Sequence, residues 1–341
     1  MTDTAKTKPA VDMHGRKIVQ VGIVVADAAR TVRNYSRLFG VGPWAFFDMM
    51  ATDVILHNQR LADSEGCVHV AAANIGDIQI ELLQPLYGPG THMEFLRQRG
   101  EGIHHVSFGM VDNHDRVVSA LQQQGVGIEM QGMLGGAIVF SYMDTCRELG
   151  TIFEFVKPPS SGVQPTLSAW GRWVPTTSTV ADMAGKRITQ LGFIVHDAEK
   201  TARRYEELLG IGPWRTWIPG TQSQISPAAT AAPGWILHGV PMIQVNARAK
   251  VAFCDWEGLQ FELVEPLAGP STHWEFLKTQ GVGIHHLSFG SLDDHDALLA
   301  AFSTAGIGIE MVGLLGPEAQ YTYLDTNREL GTIYEMIRRP K

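Results

Sequence analysis

The sequence predicts an α+β protein in which two tandem domains each fold paired βαβββ modules into a curved, mostly antiparallel sheet. Three observations lead to this prediction. The chain has 341 residues, about twice the usual length of one domain. Its two halves repeat one another, and an internal repeat is the first feature that decides an architecture. Within each half, short apolar runs typical of strands alternate with segments whose apolar residues have helical spacing.

The repeat also sets the domain boundaries. Residues 38–44 recur at 208–214, whereas residues 102–105 recur at 283–286, so the offset grows from 170 to 181. The eleven extra residues fall between Trp214 and His238, where turn-forming residues predict a long loop. We expect a flexible leader at 1–16, a first domain at 17–157, a linker rich in Pro, Ser, Thr and Gly at 158–186, and a second domain at 187–341. Trp170 and Trp173 predict that the linker packs along one domain.

The elements of each module are clearest in the first half. Residues 18–25 form a nearly continuous apolar run, as in a strand with a covered face. Asp27 can cap a helix over 28–39, and Gly40 can end it. The remaining predicted elements are a hairpin of strands 68–74 and 79–83, a strand at 105–111, a helix between Asn113 and Gly125, and strands near 139–143 and 151–156.

Composition and charge limit the partners. Hydrophobic residues make up 45% and charged residues 18%, which is the balance of a globular protein. No stretch approaches the roughly 20 apolar residues of a membrane span, and residues 1–16 lack the apolar core of a secretory signal. A net charge of −8 without a Lys/Arg cluster argues against nucleic acid and anionic membranes. The expected partner is a small molecule, and homodimerisation stays open.

Cysteine usage indicates the compartment. Cys67, Cys146 and Cys254 show no C-x-x-C spacing, which argues against a disulfide framework and against a thiolate zinc site. We therefore expect a cytoplasmic protein.

Carboxylates inside apolar strands are the chemically informative feature. Glu81 lies in Gln-Ile-Glu-Leu-Leu and Glu154 in Ile-Phe-Glu-Phe-Val, and the second half repeats them as Glu262 and Glu335. A carboxylate in an apolar environment needs a partner or a metal, because desolvation otherwise favours its protonated form. A buried salt bridge is the alternative explanation, but no basic residue recurs nearby.

Histidine and glutamine complete a ligand set. Because side chains alternate along a strand, only one of His104 and His105 can face a given cavity. We choose His105, and expect its neighbour to be structural or to orient a ligand. Imidazole, amide oxygen and carboxylates suit a divalent Zn, Mn, Ni, Co or Fe ion. The predicted metal ligands are Gln20, Glu81, His105 and Glu154 in the first half, and Gln190, Glu262, His286 and Glu335 in the second.

These residues carry a resemblance to a known family. The runs Ile-Glu-Leu-Leu-Gln-Pro at 80–85, Glu-Phe-Leu at 94–96 and Gly-Glu-Gly-Ile-His-His at 100–105 resemble the middle of methylmalonyl-CoA epimerase. That enzyme belongs to the vicinal oxygen chelate superfamily, which includes glyoxalases, bleomycin resistance proteins and extradiol dioxygenases. Where the epimerase pattern has His in the first strand, this chain has Gln20 and Gln190, and the resulting Gln-Glu-His-Glu set is similar to that of zinc-type glyoxalase I. The resemblance implies two tandem glyoxalase-like domains.

The ligand set predicts a lyase or isomerase of the epimerase or glyoxalase type. The cation would act as a Lewis acid on an enolate formed by proton abstraction next to a carbonyl. The glyoxalase resemblance implies that Glu154 and Glu335 act as the bases. One alternative is an extradiol-type dioxygenase, which needs two His and one carboxylate on Fe(II). Another is a non-catalytic small-molecule binding or resistance protein. The substrate, the metal and the choice among epimerisation, isomerisation and elimination stay open.

Overall fold

The computed structural model describes residues 8–61, 66–161, 180–181, 183–217, 235–242, 247–315 and 319–339. The first half contains, in chain order, β1 (Gln20–Val24), α1 (Ala28–Phe39), β2 (Ala45–Leu56), β3 (Gln59–Arg60), β4 (Cys67–Ile75), β5 (Ile78–Tyr87), α2 (Thr91–Arg99), β6 (Gly102–Met110), α3 (His114–Gln123), β7 (Ile128–Leu134), β8 (Ile138–Met143), α4 (Cys146–Leu149) and β9 (Ile152–Lys157).

The second half repeats this order. It contains β10 (Gln190–Ile194), α5 (Ala198–Leu209), β11 (Arg215–Trp217), β12 (Ile236–Leu237), β13 (Val240–Pro241), β14 (Arg248–Trp256), β15 (Leu259–Ala268), α6 (Thr272–Thr279), β16 (Gly283–Ser291), α7 (His295–Thr304), β17 (Ile309–Leu315), β18 (Ala319–Leu324), α8 (Asn327–Leu330) and β19 (Ile333–Arg338). None of the described helices combines the length and apolarity that a membrane crossing needs.

Each half folds into one sheet. The first has the strand order β3-β2-β4-β5-β1-β6-β9-β8-β7, and β2 also pairs with β7, so the sheet curls until its two sides meet. The second has the order β11-β14-β15-β10-β16-β19-β18-β17-β12-β13. The parallel pairs are β1–β5, β6–β9, β10–β15 and β16–β19, and the other pairs are antiparallel. The predicted α+β class with curved, mostly antiparallel sheets in two tandem domains is confirmed.

Helix α1 shows why the modules fold as they do. The Asp27 side chain accepts a hydrogen bond from the backbone N–H of Arg30, and Gly40 ends the helix with a left-handed φ of 67°. Both are common helix-terminus devices. Tyr35 and Phe39 lie on the buried face of the helix. The sequence prediction for 28–39 is therefore confirmed to the residue.

Helices α1 and α5 join the two halves through one core. The Tyr35 hydroxyl donates to the carbonyl of Leu330 and lies 3.1 Å from the hydroxyl of Tyr334. In the reverse direction, the Tyr205 hydroxyl donates to the carbonyl of Leu149 at 2.7 Å, and its ring packs on Phe153. Each helix thus packs against the other half's sheet, so one face of every central strand is committed to this core. By alternation, the opposite face lines the interior of the curved sheet.

The N-terminal segment packs more closely than the sequence predicts. Residues 8–16 were expected to belong to a flexible leader, but the backbone N–H groups of Val11 and Met13 donate to carbonyls at the end of α5. Both side chains are buried, which gives this stretch a place in the core. In the linker, Ala181 and Met183 are buried as well. Trp170, Trp173 and the predicted loop at 219–234 lie outside the described residues.

Candidate metal centre

The strand register brings the predicted ligands of the first half onto one face of the sheet. Gly22 of β1 pairs with Glu81 of β5 and with His105 of β6. Two residues earlier, Gln20 pairs with Ser107, which in turn pairs with Glu154 of β9. Paired residues point to the same side of a sheet, and so do residues two apart along a strand. All four side chains therefore face the interior.

The second half has the same register. Gly192 of β10 pairs with Glu262 and with His286, while Gln190 pairs with Ser288, the partner of Glu335. The eight predicted ligands thus form two groups of four at equivalent positions.

In each group, the distances from the histidine to the two carboxylates suit ligands of a common ion. His105 Nε2 lies 3.7 Å from Glu81 Oε2 and 4.0 Å from Glu154 Oε2. The corresponding distances from His286 Nε2 are 3.4 Å to Glu262 and 4.0 Å to Glu335. These separations are too long for good hydrogen bonds. Two ligand atoms that are each about 2.1 Å from one ion lie roughly 3 to 4 Å apart, as observed here.

Several polar atoms in these groups are buried without a hydrogen-bond partner among the protein atoms. They are His105 Nε2, His286 Nε2, Gln190 Oε1 and Glu335 Oε2. Both imidazoles are completely inaccessible to solvent. Orphaned buried polar atoms are rare and costly, so each needs a physical explanation. Within the described ranges, no Lys or Arg lies within ion-pairing distance of the four carboxylates. A bound divalent cation would satisfy these atoms, and the residues therefore fit the group.

Burial raises the pKa values of the two carboxylates, a shift that a bound cation would reverse, and lowers the pKa of the histidine, as a bound cation also would. Burial raises the pKa of Glu81 to about 8, and the nearby Glu154 adds to this effect. Burial also raises the pKa of Glu154 to about 7, although hydrogen bonds from Ser107 and Tyr142 act to lower it. The pKa of His105 is held well below its usual value by burial. The histidine is thus neutral and can donate a lone pair, as a metal ligand must.

A glycine in the first strand makes room for each histidine. A Cβ added at Gly22 would lie 2.1 Å from Cε1 of the His105 ring, and at Gly192 it would lie 1.9 Å from the corresponding atom of His286. Both contacts are far inside van der Waals distance. The imidazole therefore lies across the glycine, and no other residue type fits without moving the ring.

We expect Gly22→Ala to displace His105 and to abolish metal binding in the first half only. The overpacked site should cost about 1–3 kcal/mol of unfolding free energy. Gly308→Ala is the matched control, because its added Cβ would meet only ordinary contacts with Asp325. Metal content and thermal unfolding of both variants check this, and full metal content in Gly22→Ala would contradict it.

Three buried histidines surround each site, and two of the six were not predicted. His92, His104 and His105 lie together in the first half, as do His273, His285 and His286 in the second. Such a triad could itself offer nitrogen ligands. However, His104 Nδ1 and His105 Nδ1 are 3.1 Å apart, as in a direct hydrogen bond, and the triad contains no carboxylate. The site with Gln, two Glu and His105 Nε2 therefore fits a divalent cation better.

His92 and His273 lie in a segment that repeats closely between the two halves. Thr-His-Met-Glu-Phe-Leu at 91–96 recurs as Thr-His-Trp-Glu-Phe-Leu at 272–277, an unusually close match. In the structure, His92 Nε2 lies 3.3 Å from the Tyr142 hydroxyl, and His273 Nε2 lies 3.0 Å from the Tyr323 hydroxyl. Because Tyr142 also hydrogen-bonds Glu154, the repeated histidine supports a carboxylate of the site.

A cavity of about 330 Å³ opens beside the second site. Its lining includes Gln190, Gln260, Asp255, Ser288 and Arg339. Its volume is in the range of small-molecule sites. A substrate placed there would lie next to a predicted metal ligand.

Comparison with known proteins agrees with this architecture. A family model described as Glyoxalase/Bleomycin resistance protein/Dioxygenase superfamily matches residues 19–140 and again 189–315. A mutant 4-hydroxymandelate synthase from Streptomyces coelicolor shares the fold over 95% of this chain and 92% of its own, with 14% identity and a TM-score of 0.60. A xylose isomerase-like TIM barrel/4-hydroxyphenylpyruvate dioxygenase fusion protein matches over 99% of this chain and 51% of its own, with 13% identity and a TM-score of 0.51.

One curated relative matches a shorter stretch. The uncharacterized protein YqjC of Bacillus subtilis (strain 168) is 24% identical over an alignment of 91 residues, and the match covers 24% of this chain and 64% of that protein. The two matches to the family model cover well over half of the chain, one in each half, and both contain predicted ligands. The chain therefore belongs to the glyoxalase/bleomycin resistance protein/dioxygenase superfamily.

Proposed function

We propose that the protein is a divalent-metal-dependent lyase or isomerase, which removes a proton next to a carbonyl of a small-molecule substrate. One observation carries this proposal. In each half, a buried histidine Nε2 without a hydrogen-bond partner lies 3.4–4.0 Å from two carboxylates, and within the described residues no Lys or Arg pairs with them. A Gln, two Glu and one His make a hard-to-borderline donor set suited to Zn, Mn, Ni, Co or Fe.

The candidate residues of each half would have two tasks, to hold the ion and to transfer a proton. Gln20, Glu81, His105 and Glu154 would hold the ion, and Gln190, Glu262, His286 and Glu335 would do so in the second half. When bound, the ion would supply Lewis-acid stabilisation of the enolate oxygen.

The second task is proton transfer, for which Glu154 and Glu335 are suited. Without the ion, burial raises the pKa of each to about 7, so a carboxylate that is not bound to the ion would be basic enough to accept a proton from carbon near neutral pH. Tyr142 and Ser107 hydrogen-bond Glu154 and hold it in place.

Hydrogen exchange at carbon tests the proposal without knowledge of the true product. The metal-loaded protein is incubated in D₂O with a panel of α-branched acyl thioesters and α-hydroxy ketones, and deuterium incorporation next to the carbonyl is followed by NMR. We expect exchange that stops on chelation and falls at least about 100-fold in the Glu154→Gln, Glu335→Gln variant. Glu148→Gln, an exposed carboxylate paired with Arg204, is the matched control and should retain it.

The same experiment separates the rival functions. Exchange that survives chelation would contradict the proposal. Oxygen uptake with a catechol and Fe(II), in the absence of exchange, would favour an extradiol-type dioxygenase instead. Saturable binding of a panel compound, retained in the Glu154→Gln, Glu335→Gln variant with neither exchange nor oxygen uptake, would favour a binding or resistance protein.

A further inference from the structure

A series of polar contacts leads from the protein surface to the predicted ligand His105. The exposed His57 contacts Glu94 at 2.8 Å and Glu129 at 3.5 Å. Glu129 accepts a hydrogen bond of 2.9 Å from the hydroxyl of Thr91, whose oxygen also lies 3.1 Å from Nε2 of His104. This series of contacts ends at the 3.1 Å contact between the Nδ1 atoms of His104 and His105.

The last contact permits two proton arrangements. A neutral imidazole carries one N–H, so either His104 Nδ1 donates to His105 Nδ1 or the reverse. In the first arrangement, the proton of His105 is on Nε2, where it would block metal binding. In the second, the proton is on Nδ1 and the Nε2 lone pair faces Glu81 and Glu154. Which arrangement holds decides whether His105 can be a ligand.

Thr91 selects the second arrangement. The Thr91 hydroxyl donates to Glu129, so its single proton is committed to that hydrogen bond. The Thr91 oxygen can then only accept from His104, which places the His104 proton on Nε2. His104 Nδ1 is left as an acceptor, and His105 must donate to it from Nδ1. The orphaned state of His105 Nε2 agrees with this, because a proton there would have two carboxylates to approach.

We propose that Thr91 and His104 are positioning residues, which hold His105 in the tautomer whose Nε2 lone pair faces the metal site. The role rests on the proposed metal site but concerns residues that do not touch the ion or the substrate. Outer-shell partners of metal-ligating histidines typically affect metal affinity 10- to 100-fold. The second half repeats the last two contacts: Thr272 lies 3.0 Å from His285 Nε2, and the Nδ1 atoms of His285 and His286 are 3.1 Å apart.

Isosteric substitution of Thr91 tests the role. Thr91→Val removes the hydroxyl and keeps the shape, whereas Thr91→Ser keeps the hydroxyl. Both are made in a His286→Ala background, so that only the first site can bind metal. We expect the Zn²⁺ affinity to fall 10- to 100-fold in Thr91→Val and to stay within about threefold in Thr91→Ser. Thr272→Val in the same background is the matched control and should have no effect.

A second readout needs no metal. Long-range ¹H–¹⁵N NMR of the metal-free protein reports which ring nitrogen of His105 carries the proton, with signals assigned through His104→Gln and His105→Gln. We expect protonated Nδ1 and bare Nε2 in the wild type and in Thr91→Ser, and a mixture of tautomers in Thr91→Val. Protonated Nε2 in the wild type, or unchanged affinity in Thr91→Val, would overturn the inference. If the wild type bound no metal, the proposed function would fail, and the NMR result would still decide the tautomer.

Discussion

Replacing both His105 and His286 by alanine is expected to abolish tight divalent-metal binding. Each imidazole is fully buried, and its Nε2 has no hydrogen-bond partner among the described protein atoms. Nε2 lies near the carboxylates of its site, where it could bind the same metal ion as they do. Without it, Glu and Gln oxygens alone must hold the ion. We expect the affinity to fall by more than about 100-fold, the upper end of what the loss of an outer-shell partner costs. Elemental analysis and titration with a metal indicator measure this.

The duplication supplies the control for this prediction. His105→Ala and His286→Ala alone should each retain one equivalent of metal per chain, because the other half keeps its own four ligands. His114→Ala tests for a non-specific effect, since His114 is equally buried but bonds Ser141 on another part of the sheet. Two equivalents retained in the double variant would show that the ions bind elsewhere.

The second large effect concerns the contribution of Glu154 and Glu335 to the stability of the metal-free protein, which we expect to fall as the pH rises from about 5 to 8. Burial raises the pKa of Glu154 and of Glu335 from the ordinary 4.5 to about 7 in the folded state. Between these values the folded protein holds protons that the unfolded chain releases, so raising the pH favours unfolding. A shift of this size corresponds to on the order of 3 kcal/mol for each carboxylate.

Neutral isosteres and metal should each remove this pH dependence. In Glu154→Gln, Glu335→Gln, denaturant unfolding of the metal-free protein should lose the part of the pH dependence that comes from these two carboxylates, and stability at pH 8 should exceed that of the wild type. The same substitutions should weaken metal binding, so stability without metal and affinity for it change in opposite directions. If the stability of the metal-free variant relative to the wild type did not increase between pH 5 and 8, the raised pKa values would be contradicted.

Local signals explain which elements the sequence could predict. Helix α1 was predicted to the residue because local contacts mark both of its ends. The Asp27 side chain accepts a hydrogen bond from the backbone of the first turn, and the Gly40 backbone N–H donates to the last turn. Strand β2 was missed because its shape depends on two distant partners, β4 on one part and β7 on the other, with Asp53 in a left-handed conformation between them. Helix α2 was also missed, since it has no side-chain cap at Gly90 and its place is set by tertiary packing.

The candidate metal site shows the same difference between residues with a local sequence signal and residues whose role depends on distant contacts. Glu81 and Glu154 could be singled out because a carboxylate in an apolar strand demands an explanation. The repeat of residues 91–96 marks His92, but its role could not be predicted, because that role depends on Tyr142, which lies 50 residues later in the chain. The requirement for Gly22 likewise appears only when β1 and β6 are placed side by side.

The central claim is that each curved sheet encloses one cation, held by Gln20, Glu81, His105 and Glu154 in the first half and by their counterparts in the second. Anomalous X-ray diffraction at the absorption edge of the metal identified in the purified protein tests it most directly. The account predicts two anomalous peaks per chain, each about 2.0–2.3 Å from the histidine Nε2 and the carboxylate oxygens. Well-ordered carboxylates around His105 and His286 with no peak between them, in crystals of metal-saturated protein, would contradict it.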